Sequence, residues 1–301
     1  MGNAKTALRK VVGTVPLVKQ VMQDRSDLRR AVDILTIEKQ QLTTERRIMA
    51  AHSFLRGEGI EIGALHMPLS IPPGASVRYV DYLSVEGLRN HYPELRDLPL
   101  VDVDIVDNGE KLTKVKNGSV DFVVANHFFE HCQDPIGTLM TFYKKLRAHG
   151  VLYMAIPNKE YTFDIDREIT TYDHLLKEHK QYPSQKLYLE HCREIAQRTE
   201  KHKTELDIAK CIKFLVESKY SIHYHVWDQA ALSELFQRAA IDFSMNLSVE
   251  AMIKNKNEII CVLRKFPRSE ENARLATVRQ QYFSGLKPIW ERLGKPEPKI
   301  P

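Results

Sequence analysis

The sequence predicts an α/β protein built on an open, mostly parallel sheet, and three observations carry that reading. The first is the segment Gly57-Glu58-Gly59-Ile60-Glu61-Ile62-Gly63-Ala64, a short apolar run that ends abruptly on glycine. The second is Asp121-Phe122-Val123-Val124-Ala125-Asn126-His127, an apolar run that ends on polar side chains. The third is the alternation of such runs with helix-like stretches. That alternation implies parallel strands joined by right-handed crossovers.

Taken in order, residues 1–52 contain no strand-like run. Leu28, Val32, Leu35 and Leu42 fall at helical spacing, and Asp24 or Ser26 is placed to cap a helix running to about Met49. That helix either packs on its own domain or pairs with a second copy in a homodimer, although Glu38-Lys39 breaks the seam. Lys5, Arg9, Lys10 and Lys19 suit an anionic membrane surface, but Gly13 and Pro16 interrupt the helix that would present them. Residues 53–266 carry the sheet, with strands expected near 59–62, 77–80, 100–103, 120–125 and 150–156. Helices are expected over 84–91 and 136–147, the latter closed by His149-Gly150. Residues 160–222 are polar, rich in Lys, Glu, Gln and His, and too long for a simple crossover, so they read as a helical insertion over the sheet. A helix over Asp228–Ala240 follows, and Phe243–Val249 with Glu258–Arg264 reads as a final antiparallel hairpin. Residues 267–301 form a helical stretch to about Leu286 and a Pro-rich tail.

Composition narrows the class. A net charge of +5, from 44 basic and 39 acidic residues, is too mild to indicate a nucleic-acid partner. No stretch approaches the ~20 apolar residues of a membrane span, and the N-terminus has no secretory pattern. Cys132, Cys192, Cys211 and Cys261 are scattered without a CxxC pair, which suits reduced thiols in a cytoplasmic protein.

The strand ends locate a binding crevice. Glycine at 63 lets the backbone turn sharply and approach a ligand closely. Asp81 follows the run Val77–Val80, where a carboxylate can accept hydrogen bonds from both hydroxyls of a ribose. Strand, glycine turn, helix, strand and acid together describe a nucleoside-binding half-sheet.

The order of these segments resembles class I S-adenosylmethionine (SAM)-dependent methyltransferases over residues 55–160 and again over 223–264. The small-molecule branch is matched by Ala125-Asn126-His127-Phe128-Phe129-Glu130-His131. The chain is also similar to bacterial methyltransferase-domain proteins encoded among glycosyltransferases of surface-polysaccharide pathways. Glu61-Ile62-Gly63-Ala64-Leu65-His66-Met67-Pro68, Tyr79-Val80-Asp81-Tyr82-Leu83-Ser84 and Ala155–Asp164 carry that likeness. The resemblance implies a Rossmann-like sheet with its last strand antiparallel, and SAM as cofactor. It places Glu61, Gly63 and Ala64 at the methionine and ribose end and Asp81 on the ribose hydroxyls. Asp104 is either an acid against the adenine amine or a surface residue beside the turn Asp107-Asn108-Gly109. Asn126 and His127 come to the mouth of the sheet, with His127 on the SAM carboxylate, on main chain or facing the acceptor. One departure is Leu65, where many members carry a second glycine.

Methyl transfer from a sulfonium asks the protein for in-line positioning and removal of the acceptor proton. His127, His131 and His223 are the candidates for proton removal, since imidazole titrates near ~6.5. His127-Phe128-Phe129-Glu130-His131 also spells HxxEH, a zinc-protease pattern, but that chemistry needs both histidines on one helical face and this motif follows a strand directly. In His223-Tyr224-His225-Val226-Trp227, alternation would put both histidines on one face. They would hold a polyhydroxylated ring, complete a metal site with a carboxylate, or pack and cap the next helix. Tyr161, Asp164 and Arg167 form the acceptor-side cluster, or else a solvated loop. The sheet mouth lacks a carboxylate-rich cluster, so no metal is expected in transfer. The expected activity is therefore methylation of a hydroxyl on a sugar, glycan or other polar small molecule. A non-catalytic module serving a glycosyltransferase or polysaccharide assembly is the rival from another class. A nicotinamide-dependent reductase is a second rival, and the absence of GxGxxG stands against it.

Overall fold

Strands β1 (Glu58–Ile62), β2 (Ser76–Asp81), β3 (Ile105–Val106), β4 (Val120–Val124), β5 (Leu146–Pro157), β6 (Leu247–Asn255) and β7 (Glu258–Lys265) form one sheet in the order β3-β2-β1-β4-β5-β7-β6. This is a computed structural model, and it describes residues 41–199 and 204–267. All neighbouring pairs are parallel except β5–β7 and β6–β7, so the last strand alone runs against the others. The fold is a Rossmann-like mixed sheet flanked by helices. Because β1 sends its crossover to β2 on one side and sits beside β4 on the other, the strand order reverses between β1 and β4. A crevice opens there at the carboxyl ends.

The apolar runs are continuous because both faces of the sheet are covered. Ile60, Val123, Ala125, Leu152, Met154 and Ile156 enter one core with Leu139, Phe142 and Trp227. Their strand neighbours Phe122, Val124, Val151 and Tyr153 enter the other with Ala50, Ala51 and Leu55. Gly59 is required beneath this packing, since a Cβ there would stand 2.2 Å from the Phe122 ring. A third, smaller core joins Cys192, Leu215, Ile222 and Tyr224.

Among the described residues that follow β1 lie six α-helices: α1 (Val85–His91), α2 (Pro135–Lys145), α3 (Tyr172–Gln181), α4 (Gln185–Thr199), α5 (Glu205–Ser218) and α6 (Gln229–Asp242). Local chemistry sets their starts. Ser84, Asp134, Thr171, Thr204 and Asp228 each accept a first-turn N–H, and Thr204 with Asp207 forms a reciprocal capping box. Four of these helices, α3 to α6, lie between β5 and β6.

Residues 41–54 are helical, so this helix runs past Met49. Met1–Met49 forms a unit separate from Ala50–Pro301. The homodimer seam at Leu28, Val32 and Leu35, the basic segment at 1–20 and the tail at 268–301 lie outside the described residues. Among the described residues no helix is long and apolar enough to cross a membrane, and all four cysteines are free thiols.

Three expected boundaries move. The strand expected at 100–103 lies instead at Ile105–Val106. Val101 spends its N–H on the Leu65 carbonyl in a loop, and pairing begins only at Asp104. Helix α2 ends at Lys145, not at His149-Gly150, and β5 starts immediately. His149 carries the left-handed backbone (φ 63°) inside an irregularity between Val120 and Phe122. Gly150 is there because a Cβ would meet the Asp121 carbonyl at 3.1 Å and the Arg147 carbonyl at 3.0 Å. The closing hairpin begins at Leu247 rather than Phe243, because Phe243 to Asn246 unwind the end of α6, with Ser244 left-handed.

Candidate functional site

The β1 turn is built from three residues with distinct tasks. Gly63 has φ 67° and donates its N–H to the Val80 carbonyl, and a Cβ placed on it would meet nothing within 4 Å. Its conformation demands glycine while the space above it stays open. Glu61 is enclosed, with both carboxylate oxygens accepting the Leu69 N–H at 3.0 and 3.1 Å. It ties the loop after Ala64 down onto the strand. Leu65, at the place of the missing glycine, is itself left-handed with φ 52°. The turn keeps its shape without the glycine, at a local strain of about 1–2 kcal/mol. Two substitutions should therefore differ. Gly63→Ala should cost about 1–2 kcal/mol of stability, and Leu65→Gly should be close to neutral because relieved strain offsets the flexibility gained. Thermal melts of the two variants check this; equal losses would contradict it.

Asp81 ends β2 at the crevice. Its Oδ1 accepts the Tyr82 N–H at 2.7 Å, and burial pushes its carboxyl up to about 6. The backbone N–H groups of Tyr82 and Leu83 oppose that rise without cancelling it, so a ligand bearing hydroxyls would add donors that favour the charged form. Asp104 sits further from the mouth. Its carboxylate accepts the Tyr79 N–H at 2.7 Å and its own N–H goes to the Tyr79 carbonyl, so it stands in for a rung of the ladder at the start of β3. The residues that leave the carboxyl end of β3 are Asp107, Asn108 and Glu110. Asp107 is consumed by the N–H groups of Asn108 and Lys114 and the hydroxyl of Thr113.

At the end of β4, Asn126 accepts the Ala155 N–H, while its Nδ2 is buried without a partner. His127 is left-handed (φ 48°), with Nε2 2.9 Å from the buried Glu258 and Nδ1 3.5 Å from the buried Glu130. His131 points elsewhere. Its Nδ1 is 2.9 Å from the Ile222 carbonyl and from the Ser221 hydroxyl. Residues 129–131 make only one 3-10 turn, so the two histidines of HxxEH never share a helical face. The Ile222 carbonyl only accepts, so it holds the proton on Nδ1 and leaves Nε2 as the basic nitrogen. Burial draws the His131 pKa below its ordinary value, against the pull of Glu130.

A cavity of about 620 Å³ opens beside these residues. Tyr82, Asn108, Glu110, His131 and Gln133 line it from the sheet side, and Tyr188, Lys219, Ser221 and Tyr224 from the insertion. Tyr92, Asn108, Glu110 and Gln133 are lining residues that the sequence reading does not point to. The signal was available in Asp107-Asn108-Gly109, which a correctly placed β3 brings to the mouth.

The acceptor-side cluster divides. Tyr161 is exposed and off the cavity. Arg167 is buried and fully engaged: Nη1 on Asp164 (3.1 Å) and the His223 carbonyl (2.9 Å), Nη2 on the Tyr224 carbonyl (3.0 Å), and Nε on Glu194 (2.8 Å). Asp164 also bonds His223 Nδ1 at 2.7 Å. His223 packs against the His131 ring, 4.8 Å between centroids. His225 departs from it and lies buried among His174, His191 and Glu178. The shared face expected for His223 and His225 does not form, because residues 221–226 are not a strand.

A family model described as a methyltransferase domain matches residues 80–240. Solved structures similar to this chain include a SAM-dependent methyltransferase from Aquifex aeolicus, at 10% identity over 71% of this chain and 85% of that one, TM-score 0.38. Another is a SAM-dependent methyltransferase from Methanosarcina mazei, at 16% identity over 71% and 95%, TM-score 0.38. The CurJ carbon methyltransferase is matched at 12% identity over 75% of this chain and 54% of that chain, TM-score 0.39. No curated protein sequence matches this one.

Proposed function

The chain belongs to the methyltransferase-domain family, and from that premise we propose that it transfers a methyl group from SAM to a hydroxyl of a sugar or another polar small molecule. The observation that carries this reading is the junction of two spaces. The Gly63 turn and the half-buried Asp81, with its raised carboxyl, end neighbouring strands at the crevice, and Tyr82 beside Asp81 lines the cavity that the helices after β5 also line. Residues Gly63, Ala64 and Asp81 would hold the cofactor, with Glu61 bracing their loop. When bound, SAM supplies an already activated methyl group, so little covalent chemistry is left to the protein. The walls of tyrosine, glutamine, asparagine and glutamate offer donors and acceptors for several hydroxyls, and the tyrosine rings offer faces on which a sugar ring can stack.

His131 is the proposed base. It lines the cavity, its tautomer leaves Nε2 to accept a proton, and burial keeps it neutral at neutral pH. His131→Gln should lower turnover by about 10²–10⁴-fold, the usual worth of a positioned base, while SAM affinity stays nearly constant. In wild type, turnover should rise with pH along a limb centred below ~6.5, where the imidazole loses its proton. A pH-independent residual rate in the variant checks both statements; an unshifted limb would assign the proton to another group.

The deciding experiment is a screen of nucleotide sugars and glycan oligomers with methyl-labelled SAM, alongside calorimetry with SAM, S-adenosylhomocysteine and NADH. Label transfer to polar hydroxyls supports the reading. Transfer only to lipid or aromatic hydroxyls overturns the acceptor class. SAM binding without any transfer makes the chain a binding module for a polysaccharide-assembly partner, and NADH binding without SAM binding removes the cofactor assignment.

A further inference from the structure

Behind the Tyr188–Tyr224 wall of the cavity lies a second cluster that methyl transfer does not use. Helix α3 places His174 and Glu178 four residues apart, on one face. Helix α4 brings His191 against them, and the stretch before α6 brings His225. One ring nitrogen from each histidine and one carboxylate oxygen of Glu178 lie within 4.8 Å of one another. His174 Nε2 and His191 Nε2 are each 3.0 Å from Glu178 Oε1, and His225 Nε2 is 3.6 Å from Oε2.

Two features set this cluster apart from an ordinary hydrogen-bonded one. His225 is 1% exposed, and neither of its ring nitrogens has a hydrogen-bond partner. A buried imidazole left unsatisfied on both sides is costly unless a bound ion or water meets one of them. It is also aimed at a buried carboxylate already shared by two other imidazoles, so the donors converge on one point. Among the described residues, the ion pairs of Glu178 are with the histidines and with no Lys or Arg.

We propose that His174, Glu178, His191 and His225 form a binding site for a divalent first-row transition ion, zinc by its donor set, that clamps the helical insertion to the segment entering α6. Three imidazoles and one carboxylate are a four-ligand set of the kind zinc accepts, and a set of four protein ligands leaves no open position for catalysis. The site is structural. It joins α3, α4 and the 221–227 segment, which has no strand partners of its own apart from the single bridge at Trp227. Through Tyr224, adjacent to His225, it fixes one wall of the cavity. Binding displaces the protons that His174 and His191 share with Glu178, so affinity falls on acidification.

Tag-free full-length protein, stripped with chelator and dialysed, is titrated with zinc chloride. The readouts are metal content by mass spectrometry, melting temperature, and the visible absorption of the cobalt(II) form. One equivalent of zinc is expected, with a melting temperature raised by about 5–10 °C at a hundredfold excess over Kd and the intense absorption of tetrahedral cobalt. His174→Ala tests the site without disturbing the core, because His174 is exposed; it should weaken zinc binding at least tenfold and dim the cobalt spectrum. His191→Gln should do the same, and His225→Ala is judged by refolding only if it is soluble. Absence of stoichiometric zinc, or zinc that binds with unchanged affinity in His174→Ala and His191→Gln, overturns the site. SAM calorimetry on the stripped protein reads the methyltransferase assignment separately, since none of the four ligands lies at the β1–β2 crevice.

Discussion

Arg167→Ala should destabilise the protein by about 3–5 kcal/mol, the cost of removing one partner from a buried ion pair. The guanidinium is enclosed with Asp164 and closes the carbonyls of His223 and Tyr224 as well as the Glu194 carboxylate. Alanine would leave Asp164 with His223 alone and two carbonyls without their donor. Burial tends to raise the Asp164 pKa, yet the hydrogen bonds from His223 and Arg167 bring it below its ordinary value. A depressed folded-state carboxyl contributes stability that is present above the unfolded pKa of 3.8 and is lost as pH falls through the lower folded value. In the variant the folded value moves up toward the unfolded one, so this contribution shrinks and stability depends less on pH in the acid range. Arg167→Lys should fall between, because one ammonium cannot reproduce a fork that reaches three elements. Urea unfolding at pH 7 and pH 4 measures all of this. Retention of wild-type stability, with only a raised KM for the acceptor, would return Arg167 to the substrate-contacting role that its position after the fifth strand suggests.

How the site was legible follows from what each residue does. β1 and β4 stand out because both faces of the sheet are buried, so their runs are apolar without alternation, and Gly63 marks the turn where β1 ends. β3 is hidden because it is two residues long and its first rung is made by the Asp104 side chain, which no hydrophobic pattern records. Val101 and Val103 mimic a strand, but Val101 is spent on the Leu65 carbonyl. His149-Gly150 imitates a helix end, whereas the glycine answers to a carbonyl of the neighbouring strand. The histidines at 223 and 225 were read as alternating, which holds only for paired extended chain. Here the backbone is held by Arg167, by Thr170 and by the Glu130 carbonyl instead, and it sends the two rings to separate clusters. Contacts of that kind join residues about 50 to 90 positions apart, beyond the reach of local spacing.

Asp81→Asn should weaken SAM binding and strengthen the ligand-free fold at once. The binding loss follows from the proposed role: a carboxylate accepting both ribose hydroxyls contributes roughly 1.5–3 kcal/mol, the range for hydrogen bonds to charged groups. The stability gain follows from the environment of Asp81. Burial raises its carboxyl from 3.8 to about 6, so the fold prefers the neutral form. Between those values the folded state holds more proton than the unfolded chain, and stability falls as pH rises, with the full penalty present above about 6. Asparagine carries no charge, and its oxygen can still accept the Tyr82 N–H, which Asp81 accepts at 2.7 Å. Relief of about 1–3 kcal/mol at pH 8 is expected, discounted for the solvent at the crevice mouth, and almost none at pH 4. Melts of both proteins across that range test the fold, and SAM titrations at pH 5 and pH 8 test the ligand. Wild-type affinity should itself decline as pH drops through about 6, where the acceptor carboxylate is protonated. A stability difference that does not grow with pH would mean Asp81 is already satisfied in the free protein. A SAM affinity unchanged by the substitution would move the ribose away from β2. Only a ligand-poised acid produces both effects together, since a residue placed for stability alone would lose stability when its charge is removed.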